Sequence, residues 1–115
     1  MEDPGAPDEP LLRIERSDHD GVPHLELVGE LDLSTAYPLK LRLELVERED
    51  PALIVVDLRR VKFMDSIGLG ILVSHRLRAR QAGRDLALVR GGRHIADLFE
   101  ITGMQNHFDW VSAPS

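Results

Sequence analysis

The chain has 115 residues, 43% of them hydrophobic and 30% charged, and a formal net charge of −6 at pH 7. This length and balance fit one globular domain, and the negative charge argues against a sequence-independent nucleic-acid binder, which is usually basic. The absence of cysteine excludes disulfides, cysteine-ligated zinc and a thiol nucleophile. No apolar run approaches the roughly 18 residues of a membrane-spanning helix. We therefore expect a cytoplasmic protein that contacts neither membrane nor nucleic acid.

The N-terminal part predicts a tail followed by a β-hairpin. Residues 1–10 contain three prolines and four acidic residues, which is typical of a flexible tail. Residues 11–16 alternate between apolar and polar side chains and predict a half-buried strand. Residues 18–23 supply turn-forming residues, with Gly21 placed for a hairpin connection. Residues 24–29 alternate again and should pair antiparallel with the first strand.

The next block, residues 29–36, should end this strand and open a helix. We favour Thr35 over Ser34 as the N-cap, because Pro38 then takes the third helical position, where its missing N–H costs no hydrogen bond. Asp50 precedes a proline and therefore avoids the helical region, which closes the helix. Apolar residues at helical spacing predict the face that packs on the core: Leu39, Leu43 and Val46.

A continuous apolar run at residues 53–58 contains several β-branched residues, which suits a strand buried on both faces. A helical pattern then covers residues 67–82. Asp65 and Ser66 therefore lie between the end of a buried strand and the start of a helix. Free backbone N–H groups and the helix dipole favour negative charge at such a position. Both residues are also common N-caps, and the local pattern alone favours a plain helix cap.

Two glycines, Gly68 and Gly70, stand in the first turns of this helix, where each costs roughly 1 kcal/mol relative to alanine. We expect them to leave the backbone bare, so that another molecule can come close to Ser66. The surrounding turn is apolar on all sides and should be either deeply packed or covered by a partner: Ile67, Leu69, Ile71, Leu72 and Val73.

The C-terminal part predicts three more elements. Residues 85–89 form a short strand, and residues 90–93 form a turn whose two glycines lack the following lysine of a phosphate-binding loop. Residues 95–102 carry the pattern of a short amphipathic helix that Gly103 ends. Residues 108–111 are predicted to be the last strand. Strands alternating with helices predict an α/β fold with a mixed, mostly parallel sheet of four to five strands, an antiparallel N-terminal hairpin and flanking helices.

The segment Phe-Met-Asp-Ser-Ile-Gly-Leu-Gly at residues 63–70, after a Val-Val-Asp-Leu strand, resembles the phosphorylation loop of the anti-sigma factor antagonists, which are bacterial STAS-domain proteins. Residues 29–36 and 98–104 resemble two further blocks of the family in the same order. The similarity runs from about residue 12 to residue 110 and implies a single STAS-like domain at 11–111. Relatives usually carry another helix after the last strand, whereas residues 112–115 predict only a short tail.

The resemblance implies a regulatory binding module rather than an enzyme. In the family, a partner that is both an ATP-binding serine kinase and an anti-sigma factor phosphorylates the serine that matches Ser66. The unphosphorylated form binds this partner and frees sigma, and phosphorylation ends the binding; a phosphoserine phosphatase is a further partner that the resemblance suggests. We expect no catalytic residue, metal or cofactor. The residues expected to bind the partner lie beside Ser66 in two segments: Asp32, Ser34, Thr35, Asp65, Ile67, Gly68, Leu69 and Gly70.

A phosphate on Ser66 would add about −1.5 to −2 charges, which we expect the helix N–H groups to stabilise within the domain. Many relatives have a second hydroxyl residue where this chain has Ile67. Two alternatives stay open. One is a STAS-type docking module that is never phosphorylated. The other is a small-ligand or nucleotide sensor, with Asp32, Asp57 and Asp65 around a pocket at the carboxyl edge of the sheet.

Overall fold

The computed structural model describes residues 10–114, so all of the predicted N-terminal tail except Pro10 lies outside the described residues. The elements follow in this order: β1 (Leu12–His19), β2 (Val22–Leu31), α1 (Ala36–Glu47), β3 (Leu53–Met64), α2 (Ser66–Gln81), β4 (Asp85–Val89), α3 (Arg93–Thr102), a 3-10 turn (Met104–His107) and β5 (Asp109–Val111). In the described part of the chain, no helix is long and apolar enough to cross a membrane.

The five strands form one sheet in the order β1-β2-β3-β4-β5. β1 and β2 are antiparallel, and every later neighbour pair is parallel. The predicted α/β fold, with its mixed sheet and N-terminal hairpin, is confirmed. The hairpin turn is tighter than residues 18–23, because only Asp20 and Gly21 connect the strands, at φ 53° and 79°. Such a two-residue turn follows the twist of the strands, so pairing continues to its edge.

The third strand differs most from its prediction, since β3 continues to Met64 rather than ending at residue 58. Its register against β2 shifts twice, once before Val28 and once before Glu30. Each shift places an extra residue in β3, as a β-bulge does. Leu58, Val61 and Met64 therefore recur at every third position and are all buried. The bulges carry the strand to the edge of the sheet where α2 begins.

Residues from all three helices share one core with one face of the sheet, and the predicted stripe of α1 is buried in it. The other face carries a smaller apolar cluster built around Val55, Ala87 and Val89. Ala113, in the segment that follows β5, packs against this cluster. The C-terminal residues of the described chain therefore cover part of the face that no helix covers.

A buried polar pair joins α1 to α2. His75 is 2% exposed, and its Nδ1 lies 3.1 Å from Oε2 of Glu47. Arg78 donates to Oε1 of the same carboxylate at 3.1 Å, and Arg84 donates to the Glu47 carbonyl oxygen at 2.6 Å. These contacts fix the C-terminal end of α1 against the middle of α2.

Candidate functional site

The ends of β2 and β3 bring the two predicted site segments together. Leu31 and Met64 are register partners in this parallel pair, so both strands end at the same edge of the sheet. The Asp65 N–H donates to the Leu31 carbonyl oxygen at 3.3 Å and links the β2–α1 loop to the start of α2. One surface cavity of about 390 Å³ lies between the segments; it is lined by Asp32, Leu33, Ser34, Phe63 and Asp65.

Hydrogen bonds within the β2–α1 loop fix its shape. Oδ1 of Asp32 accepts the Ser34 hydroxyl at 2.6 Å and the Ser34 N–H at 2.9 Å. The bond from the Ser34 hydroxyl lowers the pKa of Asp32, so this carboxylate is ionised at neutral pH. The Thr35 hydroxyl donates to the Glu30 carbonyl oxygen at 2.8 Å and accepts the Asp32 N–H at 3.0 Å. Thr35 precedes α1 as predicted, but its side chain bonds this loop instead of capping the helix.

Asp65 is the N-cap of α2, and Ser66 is the first helical residue, with an exposed side chain. Oδ1 of Asp65 accepts the N–H groups of Ile67 and Gly68, both at 3.0 Å. The Leu69 N–H bonds to the Asp65 carbonyl oxygen at 3.0 Å. In the unmodified protein, the Ile67 and Gly68 N–H groups, which were expected to stabilise a phosphate on Ser66, are therefore both bonded to the Asp65 carboxylate.

The two glycines of α2 have different surroundings. Gly68 is buried, and a Cβ atom there would lie 2.5 Å from the Leu31 carbonyl oxygen. The expectation that Gly68 bares the backbone for another molecule is wrong, since its missing side chain makes room for the end of β2. A Cβ atom at Gly70 would meet nothing within 4 Å, and this residue is exposed. Gly70 is therefore free of internal constraint on the surface beside Ser66.

The predicted partner-binding residues divide by exposure. Ser34, Ile67 and Gly70 are exposed, and Asp32 and Asp65 are half-buried at the edge of the cavity. Three others are buried, so they shape this surface from beneath: Thr35, Gly68 and Leu69.

Sequence reasoning missed two large apolar residues at the same edge, Leu33 and Phe63, which are 74% and 41% exposed. The sequence signal that could have identified them is an apolar side chain in a polar loop, for Leu33, and at a strand end, for Phe63. The sequence also gave no indication of an open groove of about 550 Å³ along α2, which begins at Ser66 and ends beside Gln81. Its lining includes Gly70, Val73, Leu77 and Met104.

The pocket of three acids proposed for a small-ligand sensor does not form. Asp57 lies in the middle of β3, is 3% exposed and is paired with Arg59 at 2.7 Å, because the strand continues past it. Only Asp32 and Asp65 share the cavity at the strand ends. Within residues 10–114, no three or more His, Cys, Asp or Glu side chains are grouped so as to hold a metal ion.

Comparison with known proteins agrees with this geometry. The family described as "Mlab, STAS domain" matches residues 14–111. An anti-sigma-B factor antagonist of Listeria monocytogenes is 33% identical over 95 residues, which cover 83% of this chain and 82% of that protein. The anti-sigma-F factor antagonist RsfB of Mycobacterium tuberculosis is 35% identical over 86 residues, which cover 75% of this chain and 69% of that protein.

The fold of this chain is also similar to that of a solved structure. The crystal structure of an anti-sigma factor antagonist from Mycobacterium paratuberculosis matches with a TM-score of 0.80 and 29% identity, and the match covers 94% of this chain and 90% of that one. The family match spans most of the sequence, and every buried residue of the main core except Leu12 lies within it. The chain therefore belongs to the STAS-domain family, and the relatives that it resembles are anti-sigma factor antagonists.

Proposed function

We propose that this protein is an anti-sigma factor antagonist whose partner binding is switched off by phosphorylation of Ser66. The observation that carries the proposal is the position of Ser66: its exposed side chain stands at the first residue of α2, beside the hydrogen-bonded Asp32–Ser34 loop. The names of the relatives support an anti-sigma factor as the partner. In this mechanism the unphosphorylated protein occupies the anti-sigma factor and frees sigma.

We call the surface formed by Asp32, Leu33, Ser34, Phe63, Ser66, Ile67 and Gly70 the docking face. It combines three exposed apolar side chains, Leu33, Phe63 and Ile67, with the ionised Asp32. Apolar anchors surrounded by polar groups are typical of protein–protein interfaces. The partner surface that complements it is apolar at its centre and carries basic groups opposite Asp32.

Phosphorylation needs a partner that holds ATP with its γ-phosphate at Ser66. A bond forms between Ser66 Oγ and the γ-phosphorus, the bond from this phosphorus to the bridging oxygen breaks, and ADP leaves with that oxygen. The hydroxyl proton passes to a base of the partner or to solvent. The product carries about −1.5 to −2 additional charges at the centre of the docking face. Burying them against the partner costs free energy, and a loss of about 3 kcal/mol lowers affinity roughly a hundredfold.

The test is phosphorylation by candidate anti-sigma kinases from the same genome, read by intact mass. We compare the wild type with Ser66→Ala and with Ser74→Ala, a matched control because Ser74 is exposed further along the same helix. The wild type and Ser74→Ala should each gain one phosphate, and Ser66→Ala none. A phosphate that persists in Ser66→Ala would contradict the assignment.

A binding measurement with the same kinases completes the test. The phosphorylated wild type should bind at least a hundredfold more weakly than the unmodified protein, whereas Ser66→Ala should bind normally. Tight binding without any phosphate transfer would instead establish a constitutive docking module. A nucleotide that raises the unfolding temperature of the isolated protein would favour a ligand sensor, since a ligand that binds only the folded state stabilises it.

A further inference from the structure

We propose that Asp65 occupies the anion-binding position of α2 in both states of the protein, so that a phosphate on Ser66 is held outward on the docking face. Asp65 is then a positioning residue that determines how the phosphate is displayed. This inference rests on the proposed phosphorylation of Ser66 and concerns where the added charge lies afterwards.

The available backbone donors carry the first step of the argument. The first turn of a helix has N–H groups without an intrahelical acceptor, and these groups can bind an anion. In α2 the Ile67 and Gly68 N–H groups both donate to Oδ1 of Asp65. Among the residues that the structure describes, the Ser66 N–H is then the first-turn amide left without an acceptor.

The backbone of Asp65 fixes this arrangement before any phosphate is added. Asp65 has an extended conformation, with φ −112° and ψ −175°, which is the usual geometry of an N-cap. Its N–H is bonded to the Leu31 carbonyl oxygen, so the residue is attached to the end of β2. To reach the Ile67 and Gly68 amides, a phosphate on Ser66 must displace a carboxylate that is already in place.

Charge acts in the same direction as the hydrogen bonds. A phosphate turned towards the cap would approach the Asp65 carboxylate and the cavity that the ionised Asp32 also lines. Like charges repel each other, most strongly where solvent is partly excluded. Turned outward, the phosphate stays in water above the docking face. The fold is then the same before and after modification, and the partner meets the full added charge.

The test installs phosphoserine at position 66 during translation, which requires no kinase. We compare the wild type with Asp65→Ala, which lacks the cap, and with Asp65→Asn, which keeps an oxygen acceptor but no charge. The readout is the amide chemical shifts of Ile67 and Gly68 with serine and with phosphoserine at position 66. Phosphoserine at position 74, on the same helix, is the control for a remote charge.

In the wild type and in Asp65→Asn, we expect both amide signals to stay nearly in place when the phosphate is added. In Asp65→Ala, both should move downfield, because the phosphate takes the vacant position, and the phosphorylated form should unfold at a higher temperature than its serine form. A downfield movement of both amides in the phosphorylated wild type would overturn the proposal. The proposal would also be overturned if the amide chemical shifts of Ile67 and Gly68 in Asp65→Ala did not change when the phosphate is added.

A second measurement isolates the charge of Asp65 from its capping role. The second ionisation of phosphoserine has a pKa near 6 in the absence of neighbours. A phosphorus NMR titration should give a higher value in the wild type than in Asp65→Asn, and an equal value in both would overturn the proposal. Because the phosphoserine is installed during translation, failure to find a kinase would contradict the proposed function and leave this result unaffected.

Discussion

Gly68 lies directly over the carbonyl group of Leu31, so closely that a Cβ atom at Gly68 would stand 2.5 Å from the Leu31 oxygen. The same oxygen accepts the Asp65 N–H at 3.3 Å. One carbonyl group at the end of β2 therefore bonds the residue that follows β3 and limits how closely the first turn of α2 approaches the sheet. The exposed position of Ser66 depends on this approach.

The two glycines of α2 should respond in opposite ways to alanine. Gly68→Ala forces a methyl group against backbone, and overpacking of this kind destabilises by about 1–3 kcal/mol. Gly70→Ala adds a methyl group in open space and gains about 1 kcal/mol of helix propensity. Urea denaturation of both variants and the wild type measures the two effects. Equal destabilisation by both substitutions would show that Gly70 also has an internal packing role.

Gly70→Ala should also separate stability from partner binding. Gly70 lies on the docking face, and its added methyl group would stand between α2 and a partner that approaches Ser66 closely. We expect weaker binding to the anti-sigma factor together with a more stable fold, measured by titration calorimetry and urea denaturation. Gln81→Ala, at the far end of the same groove, is the control. Unchanged affinity in Gly70→Ala would remove this residue from the docking face.

Sequence reasoning predicted the order of the elements and the place of Ser66 at a helix start, because apolar periodicity and cap residues are local signals. It placed the end of β3 six residues early, because two bulges replace the expected spacing of two with a spacing of three between Leu58, Val61 and Met64. It treated Gly68 and Gly70 alike, because the difference between them is the Leu31 carbonyl group, which is distant in sequence.

The error about Asp57 has the same origin as the error about β3. An acid at a predicted strand end suggests a ligand pocket, but the longer strand places Asp57 within the sheet, where Arg59 pairs with it. The local pattern allowed either Asp65 or Ser66 to cap α2, and the bonds from Ile67 and Gly68 identify Asp65 as the cap. Both Asp65 and Ser66 are good caps, and which of them caps α2 depends on the residue at which β3 ends.

The buried pair between His75 and Glu47 should contribute measurably to stability. Glu47→Ala removes the partner of His75 Nδ1, and a buried polar group left without a hydrogen bond costs about 1–3 kcal/mol. Glu44→Ala is the matched control, because Glu44 meets Arg78 only at 3.7 Å on the half-exposed side of the same helix. Such a surface pair is worth less than about 1 kcal/mol. If Glu47→Ala and Glu44→Ala lower the free energy of unfolding in urea equally, the buried pair contributes no more to stability than the surface pair.

Stability should fall when the pH drops below the ordinary range of histidine titration, and His24 should contribute to the loss. Burial lowers the pKa of His24, and the neighbouring His19, whose ring lies 4.7 Å away, lowers it further. The folded chain thus binds a proton at His24 less readily than the unfolded chain, in which the pKa of histidine is about 6.5. The unfolded state takes up more protons below this pH, so the contribution of His24 is complete above it and decreases as the pH falls towards the lowered pKa.

The measurement is urea denaturation at pH 8.5, 7.5, 6.5 and 5.5, chosen about the ordinary histidine pKa of roughly 6.5. In the wild type, the contribution of His24 to the free energy of unfolding should be the same at pH 8.5 and pH 7.5. At pH 5.5 this contribution should be smaller, so the wild type should be less stable there. His24→Gln cannot take up a proton, so its stability should depend less on pH across the lower part of this range. Asp18, Asp32 and Glu49 have pKa values lowered by hydrogen bonds from Arg16 or Ser34, and they lose their contribution only at more acidic pH. An identical pH dependence in the wild type and in His24→Gln would mean that other groups cause the loss.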